Sequence, residues 1–257
     1  MTRARQRVEA WLLPLMVGAA VVAAWHGAVV ASGTRVFPSP SAVVRGLGEL
    51  LGRGVLGAYV ADSLRRVLTG TLLAVGVGLP LGSWLGWRRN VASALNPVIQ
   101  LLRPISPLAW SPLAIVLLGV GERPTVFLIF LSAVFPVATA AMGAVQAVPE
   151  LYLRAGRNFG LGPAGLWLRI LLPATLPHLL TALRLTLGIA WVVVVAAEML
   201  AVDSGLGYLI LDARNAGKRY DLVVAGMVLI GLVGLALDAA VRRAERLRPV
   251  TWGFHEN

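Results

Sequence analysis

The 257-residue chain is 58% hydrophobic and only 14% charged, with a mean hydropathy of +0.78. That composition excludes an ordinary soluble domain, and the lack of cysteine excludes disulfides and thiolate metal sites. The net charge of +11 invites a nucleic-acid reading, but the arginines follow membrane topology instead, and no nucleic-acid partner is expected.

Crossing the hydrocarbon core takes about 20 apolar residues per helix. The expected fold class is therefore all-α: a polytopic membrane protein of about six helices, at 11–31, 64–87, 105–119, 125–147, 179–201 and 222–241. Residues 1–10 read as a cytoplasmic segment. The run that follows is longer than the 7–15-residue core of a secretory signal, so 11–31 reads as a retained first span. Residues 32–63 form an extracytoplasmic segment in which Val43, Val44, Leu47, Leu50 and Leu51 recur at helical spacing. Ser39 or Ser41 suits the N-cap and Pro40 the first turn of a short helix lying on the outer interface.

Residues 64–241 form the core. Gly70, Ala74, Gly78, Gly82 and Gly86 recur every four residues, a small-residue stripe that lets another helix approach closely, within this chain or from a second copy. Pro80 should kink that span. Pro104, Pro107 and Pro112 crowd the start of the third span and free backbone carbonyls. Such a break suits either a pathway lining or a kinked packing helix.

With the amino terminus inside, the cytoplasmic face holds Arg3, Arg5, Arg7, Arg88, Arg89, Arg103, Arg154, Arg157, Arg169, Arg242, Arg243, Arg246 and Arg248. The short outer loops hold Arg123, Arg214, Lys218 and Arg219, while the long segment after the first span adds Arg35, Arg45, Arg53, Arg65 and Arg66. Both termini, including the 242–257 tail, are read as cytoplasmic, with the basic excess contacting anionic membrane lipid.

Catalytic chemistry finds little support. Lys218 is followed by Arg219 rather than the Ser or Thr of a Walker A loop, and His26, His178 and His255 have no ligand-like spacing. Neither a nucleophile elbow nor a zincin motif occurs. No enzyme activity, metal site or cofactor is expected of this chain. Among intramembrane charges, Arg184 and Glu198 lie about 21 Å apart along a straight helix and cannot pair, and Asp238 lies in the last span. Arg103, Ser106, Trp110, Arg184, Thr186 and Glu198 are the candidates for lining a pathway, with structural anchoring the competing role for both arginines.

The polar interruption at 149–177 is the most specific segment. Pro149 and Glu150 suit a helix start; Leu151, Ala155 and Phe159 share one face; Gly160 suits a left-handed stop. Pro163 opens a second short helix carrying Leu166, Trp167 and Ile170, with Pro173 near its end. The amphipathic pair suits a partner's groove, or packing on its own bundle or lipid.

The register Gly160, Ile170, Leu172-Pro173 resembles the "EAA" loop of binding-protein-dependent ABC importer permeases. Arg154, Ala155 and Gly156 stand where that loop has Glu-Ala-Ala, so a charge usual in the family is missing. The runs Asn96 to Trp110, Leu183 to Trp191, Ala196-Ala-Glu-Met and Ser204-Gly-Leu-Gly-Tyr are similar to the nitrate, sulfonate and taurine branch. The resemblance implies a type I ABC importer permease (MetI-like) fold in a bacterial cytoplasmic (inner) membrane. It also implies a second permease copy, ABC ATPase subunits holding ATP and Mg, and a periplasmic or lipid-anchored binding protein. Import by alternating access, with 149–177 as the ATPase-coupling loop, follows from it. A secondary transporter without an ATPase is the rival; its usual internal repeat is not visible.

Overall fold

The computed structural model describes residues 3–33, 37–215 and 217–245. Arg35, Arg246, Arg248 and His255, the side chains of Arg3, Arg5 and Arg7, and most of the 242–257 tail lie outside what is described. Among the described residues every regular element is helical: α1 Arg3–Ser32, α2 Pro40–Gly52, α3 Leu56–Trp87, α4 Arg89–Leu102, α5 Ser111–Leu118, α6 Glu122–Ala147, α7 Glu150–Asn158, α8 Pro163–Leu166, α9 Leu172–Ala201, α10 Leu206–Asn215 and α11 Tyr220–Glu245. They pack as two units, one within Met1–Gly57 and Leu209–Leu229, the other within Ala58–Tyr208 and Ile230–Asn257.

In the first unit, none of the apolar stretch Leu15–Ser32 is buried, as a helix bathed in lipid requires. The short helix α2 forms with Ser39 as its N-cap, the Ser39 hydroxyl accepting from Ala42 N–H at 3.4 Å, and Pro40 in its first turn. Its Glu49 accepts from Arg219 at 2.6 Å. That bond, with Arg53 adding to it, holds the Glu49 carboxyl below its usual range.

The second unit is held by close helix approach. A Cβ at Gly70 would stand 2.5 Å from Ile129 Cγ2, one at Gly78 2.8 Å from the Val134 carbonyl, and one at Gly86 2.7 Å from Val145 Cβ. A Cβ at Gly82 would overlap the Ala138 carbonyl. The stripe on α3 therefore packs against α6 of the same chain, the first of the two alternatives. Leu128 and Ile129 of α6 then meet Ala190, Val194 and Ala197 of α9 in a core with almost no exposure. Trp191 donates to the Ile230 carbonyl at 3.2 Å, bringing in α11.

Among the described residues, five helices are long and apolar enough to cross a membrane, or six if one bent pair counts as a span. Two expectations are corrected. The span at 105–119 is instead a 3-10 turn, Pro107–Trp110, leading into α5. Eight residues reach only about 12 Å, so α5 cannot cross alone; with α4 it forms a pair bent by 80°. Three prolines in nine residues remove the donors a continuous helix needs. The second span also starts earlier than 64, at Leu56, which places Arg65 and Arg66 inside a helix.

Gly82→Val should cost roughly 1–3 kcal/mol through overpacking against α6. Thermal unfolding of the detergent-solubilised protein checks this; an unchanged midpoint would contradict the α3–α6 contact. Gly76→Val, where a Cβ meets nothing within 4 Å, should leave the midpoint in place.

Candidate functional site

The 149–177 segment folds differently in its two halves. Helix α7 ends as expected: Gly160 adopts φ +78°, its N–H donates to Arg157 O at 2.9 Å, and Leu161 N–H reaches back to Gly156 O at 3.0 Å. This is a Schellman stop, with a glycine where a Cβ would be strained. The second half does not stop at Pro173. From Pro163 the helix runs through a π turn at Trp167–Leu171, where Leu172 N–H donates to Trp167 O, and continues to Ala201. The widened turn accommodates a proline that lacks an N–H and would clash with a regular turn. The result is one 39-residue helix, about 58 Å at 1.5 Å per residue. The hydrocarbon core is only ~30 Å thick, so one end of this helix must project beyond it.

Between α7, the end of α6 and the start of that long helix lies a groove of about 620 Å³. Ala155, Gly156, Ile170 and Pro173 line it, with Tyr152, Phe159 and Leu161. Gly156 is what lets α7 seat there, because a Cβ would stand 2.6 Å from Ile170 Cδ1 and 2.7 Å from Leu166 Cδ2. Phe159 is 87% exposed and Tyr152 56%. Arg154 points to solvent and pairs with Glu150 one turn back at 3.1 Å; at such exposure the pair contributes little. Leu172 is 41% exposed and does not line the groove.

The break between α4 and α5 walls a second cavity, of about 330 Å³. Arg103 and Trp110 line it, with Ser132, Phe135 and Ile189. Ser106 instead starts the 3-10 turn, its carbonyl accepting from Ala109 N–H at 2.9 Å, and does not line the cavity.

The remaining pathway candidates are elsewhere. Arg184 donates to Asp238 at 2.7 Å, joining α9 to α11. Thr186 is buried and bonds the Ala182 carbonyl of its own helix. Glu198 is fully buried and accepts from Arg66 at 2.8 Å, from Ser63 at 2.8 Å and from Gly207 N–H at 2.9 Å. Within this chain, packing and hydrogen bonds close off the side chains of both Thr186 and Glu198.

Sequence reading missed this knot around Glu198. Arg66, only 2% exposed, also donates to Ser204 Oγ at 2.7 Å and to the Ser204 carbonyl at 2.9 Å. Ser63 accepts from Leu206 N–H at 3.0 Å, so Ser63 and Glu198 together satisfy the first donors of α10. A Cβ at Gly205 would run into the Glu198 carboxylate and one at Gly207 into the Val195 carbonyl and Glu198 Cβ, which accounts for the glycines of Ser204-Gly-Leu-Gly. The available signal was Ser63 and Arg66, three residues apart and so on one helical face, beside a buried carboxylate in need of a partner.

Residues 78–248 match the sequence profile described as "Binding-protein-dependent transport system inner membrane component". A putative ABC transporter permease protein of Methanocaldococcus jannaschii is 43% identical over 197 residues, 76% of this chain and 73% of that one. The nitrate import permease protein NrtB of Synechococcus elongatus is 37% identical, covering 75% and 70%. The taurine transport system permease protein TauC of Escherichia coli is 34% identical, covering 81% and 78%. An inward-facing MetNI methionine ABC transporter structure superposes with a TM-score of 0.60 at 21% identity, covering 75% of this chain and 97% of that one.

The matched residues include Glu198 and Ser204 but not Ser63 and Arg66. Arg66→Met leaves a buried carboxylate unpaired and should cost roughly 3–5 kcal/mol. Arg66→Met with Glu198→Leu should recover much of that loss. Thermal stability in detergent reads both; a double variant no better than the single would mean that the charge pair is not the cause.

Proposed function

The chain belongs to the family of binding-protein-dependent transport system inner membrane components, and we propose on that premise that it is the translocating subunit of an ATP-driven importer. The observation that carries this is the groove beside α7: apolar, rimmed by exposed Tyr152 and Phe159, and sited at one end of a helix longer than the hydrocarbon core is thick. Exposed aromatics beside such a groove suit a protein partner, and an ABC ATPase is the partner the family supplies. ATP and Mg are then held by that ATPase, with no cofactor in this chain. A second copy of the permease completes the pathway, and a periplasmic or lipid-anchored binding protein delivers cargo. The chain sits in a bacterial cytoplasmic membrane with both termini and the groove on the cytoplasmic side, where the basic residues collect. The nitrate and taurine named for two relatives support a small anion as cargo.

Mechanically, the groove and the knot around Glu198 sit near opposite ends of the one helical run Pro163–Ala201. ATPase closure shifts α7 and the π turn together, because Gly156 packs them in contact. The long helix carries that shift into the bundle, alternating the side on which the pathway opens.

Purification in mild detergent from the native host, with mass spectrometry, should recover a P-loop ATPase near stoichiometry. Valine at Gly160 adds roughly 1–3 kcal/mol of backbone strain. Gly160→Val is therefore expected to insert normally but lose the ATPase and ATP-driven uptake. Gly160→Asn tolerates the left-handed conformation and should keep both. Normal uptake by Gly160→Val would sink the coupling assignment.

A further inference from the structure

We propose that the seam between α4 and α6 is a water-filled crevice, open at the cytoplasmic end of both helices, and that it forms the exit half of the cargo route. This rests on the importer reading and gives one step of it to named residues. The first ground is the pattern of α4. Arg89, Ser93, Asn96 and Gln100, with Arg103 at the C-cap, recur at the spacing of one helix face, while Leu95 and Val98 fall on the opposite one. That face leads along α6. A cavity of about 500 Å³ is lined by Arg89, Ser93 and Asn96 of α4 and by Met142 and Gln146 of α6. The 330 Å³ cavity at the α4–α5 break is lined by Arg103 and by Ser132, Phe135 and Pro136 of α6. The two cavities therefore occupy successive stretches of one seam. Ser132 stands about 21 Å further along α6 than Gln146 at 1.5 Å per residue, a large part of a hydrocarbon core ~30 Å thick.

The second ground is the backbone. Pro97 in α4 and Pro136 in α6 lack the N–H that would close the helical bond to the carbonyl four residues back. Those carbonyls belong to Ser93 and Ser132, one residue on the wall of each cavity. The serine hydroxyls are turned to other carbonyls, Ser93 donating to Arg89 at 3.0 Å and Ser132 to Ile129 at 2.6 Å. A carbonyl opened at membrane depth persists only beside protein donors or a wet cavity. At about 30 Å³ per water, each cavity holds several molecules to meet it. A helix lying flat on the cytoplasmic surface would share the polar face of α4 but leave the 330 Å³ cavity dry, so the decisive reading is taken there.

The chain has no cysteine, so single-cysteine variants report without background. The test uses inside-out vesicles carrying the full complex of permease and ATPase, and an anionic, membrane-impermeant methanethiosulfonate as the probe. Asn96→Cys and Ile189→Cys, the latter on the wall of the 330 Å³ cavity, should both react. Leu95→Cys and Val98→Cys, exposed on the opposite face of α4, should react about tenfold more slowly or less, because lipid excludes the charged reagent. Trapping the ATPase with ATP and vanadate should slow Asn96→Cys and Ile189→Cys about tenfold as the route turns outward. An unreactive Ile189→Cys, or equal rates at all four positions, overturns the crevice. Rates unchanged by trapping, in a complex that still hydrolyses ATP, overturn the exit route. A preparation without an ATPase fails the importer reading instead, and the labelling pattern still decides the crevice.

Discussion

A guanidinium and a carboxylate, Arg66 and Glu198, meet at 2.8 Å in the packed interior with almost no access to solvent. Neither charge is tolerable there alone: Ser63 and the Gly207 N–H also donate to the carboxylate, and Ser204 accepts from the guanidinium. Because their partners come from α3, the end of α9, the following loop and the start of α10, the pair sets the relation of all these pieces. Gly121 N–H donating to the Ala201 carbonyl at 3.0 Å ties the loop before α6 to the same place. The small-residue stripe on α3 then follows the surface of α6 away from this anchor, one small residue per turn.

Irregular backbone recurs in the second unit, each time with a local remedy. In lipid, an unmatched amide or carbonyl has no water to turn to, so a helix can break only where protein or a wet cavity covers the break. The π turn before Pro173 keeps the helix continuous, whereas the three prolines between Arg103 and Pro112 end one helix and start another at an 80° bend. The first solution yields a long rigid element with a groove at one end. The second yields a cavity with an arginine on its wall.

Those outcomes divide the charged residues by task. The buried Arg66–Glu198 pair and the half-exposed Arg184–Asp238 pair join helices of the bundle. The α7 pair Glu150–Arg154 is exposed on both sides and contributes little to stability. Arg103 is exposed, has no such partner among the described residues and lies on the wall of the cavity at the α4–α5 break.

Helix class and approximate spans were legible in the sequence because they rest on run length and apolar periodicity, properties local to each segment. So were the cap of α2, narrowed to Ser39 or Ser41 and fixed by the structure as Ser39, and the Gly160 stop of α7, since caps and left-handed glycines are decided within a few residues. The register Gly160, Ile170, Leu172-Pro173 pointed to the family for the same reason. Tertiary structure alone decided what Glu198 touches, because Arg66 lies 132 positions away and proximity in a bundle carries no local signature. It also decided that Pro173 continues a helix rather than ending one, since a π turn can absorb the missing donor. The separation of Arg103 and Trp110 from Thr186 and Glu198 belongs there too: all four are apt residues for a pathway, and only packing determines which of them reaches a cavity.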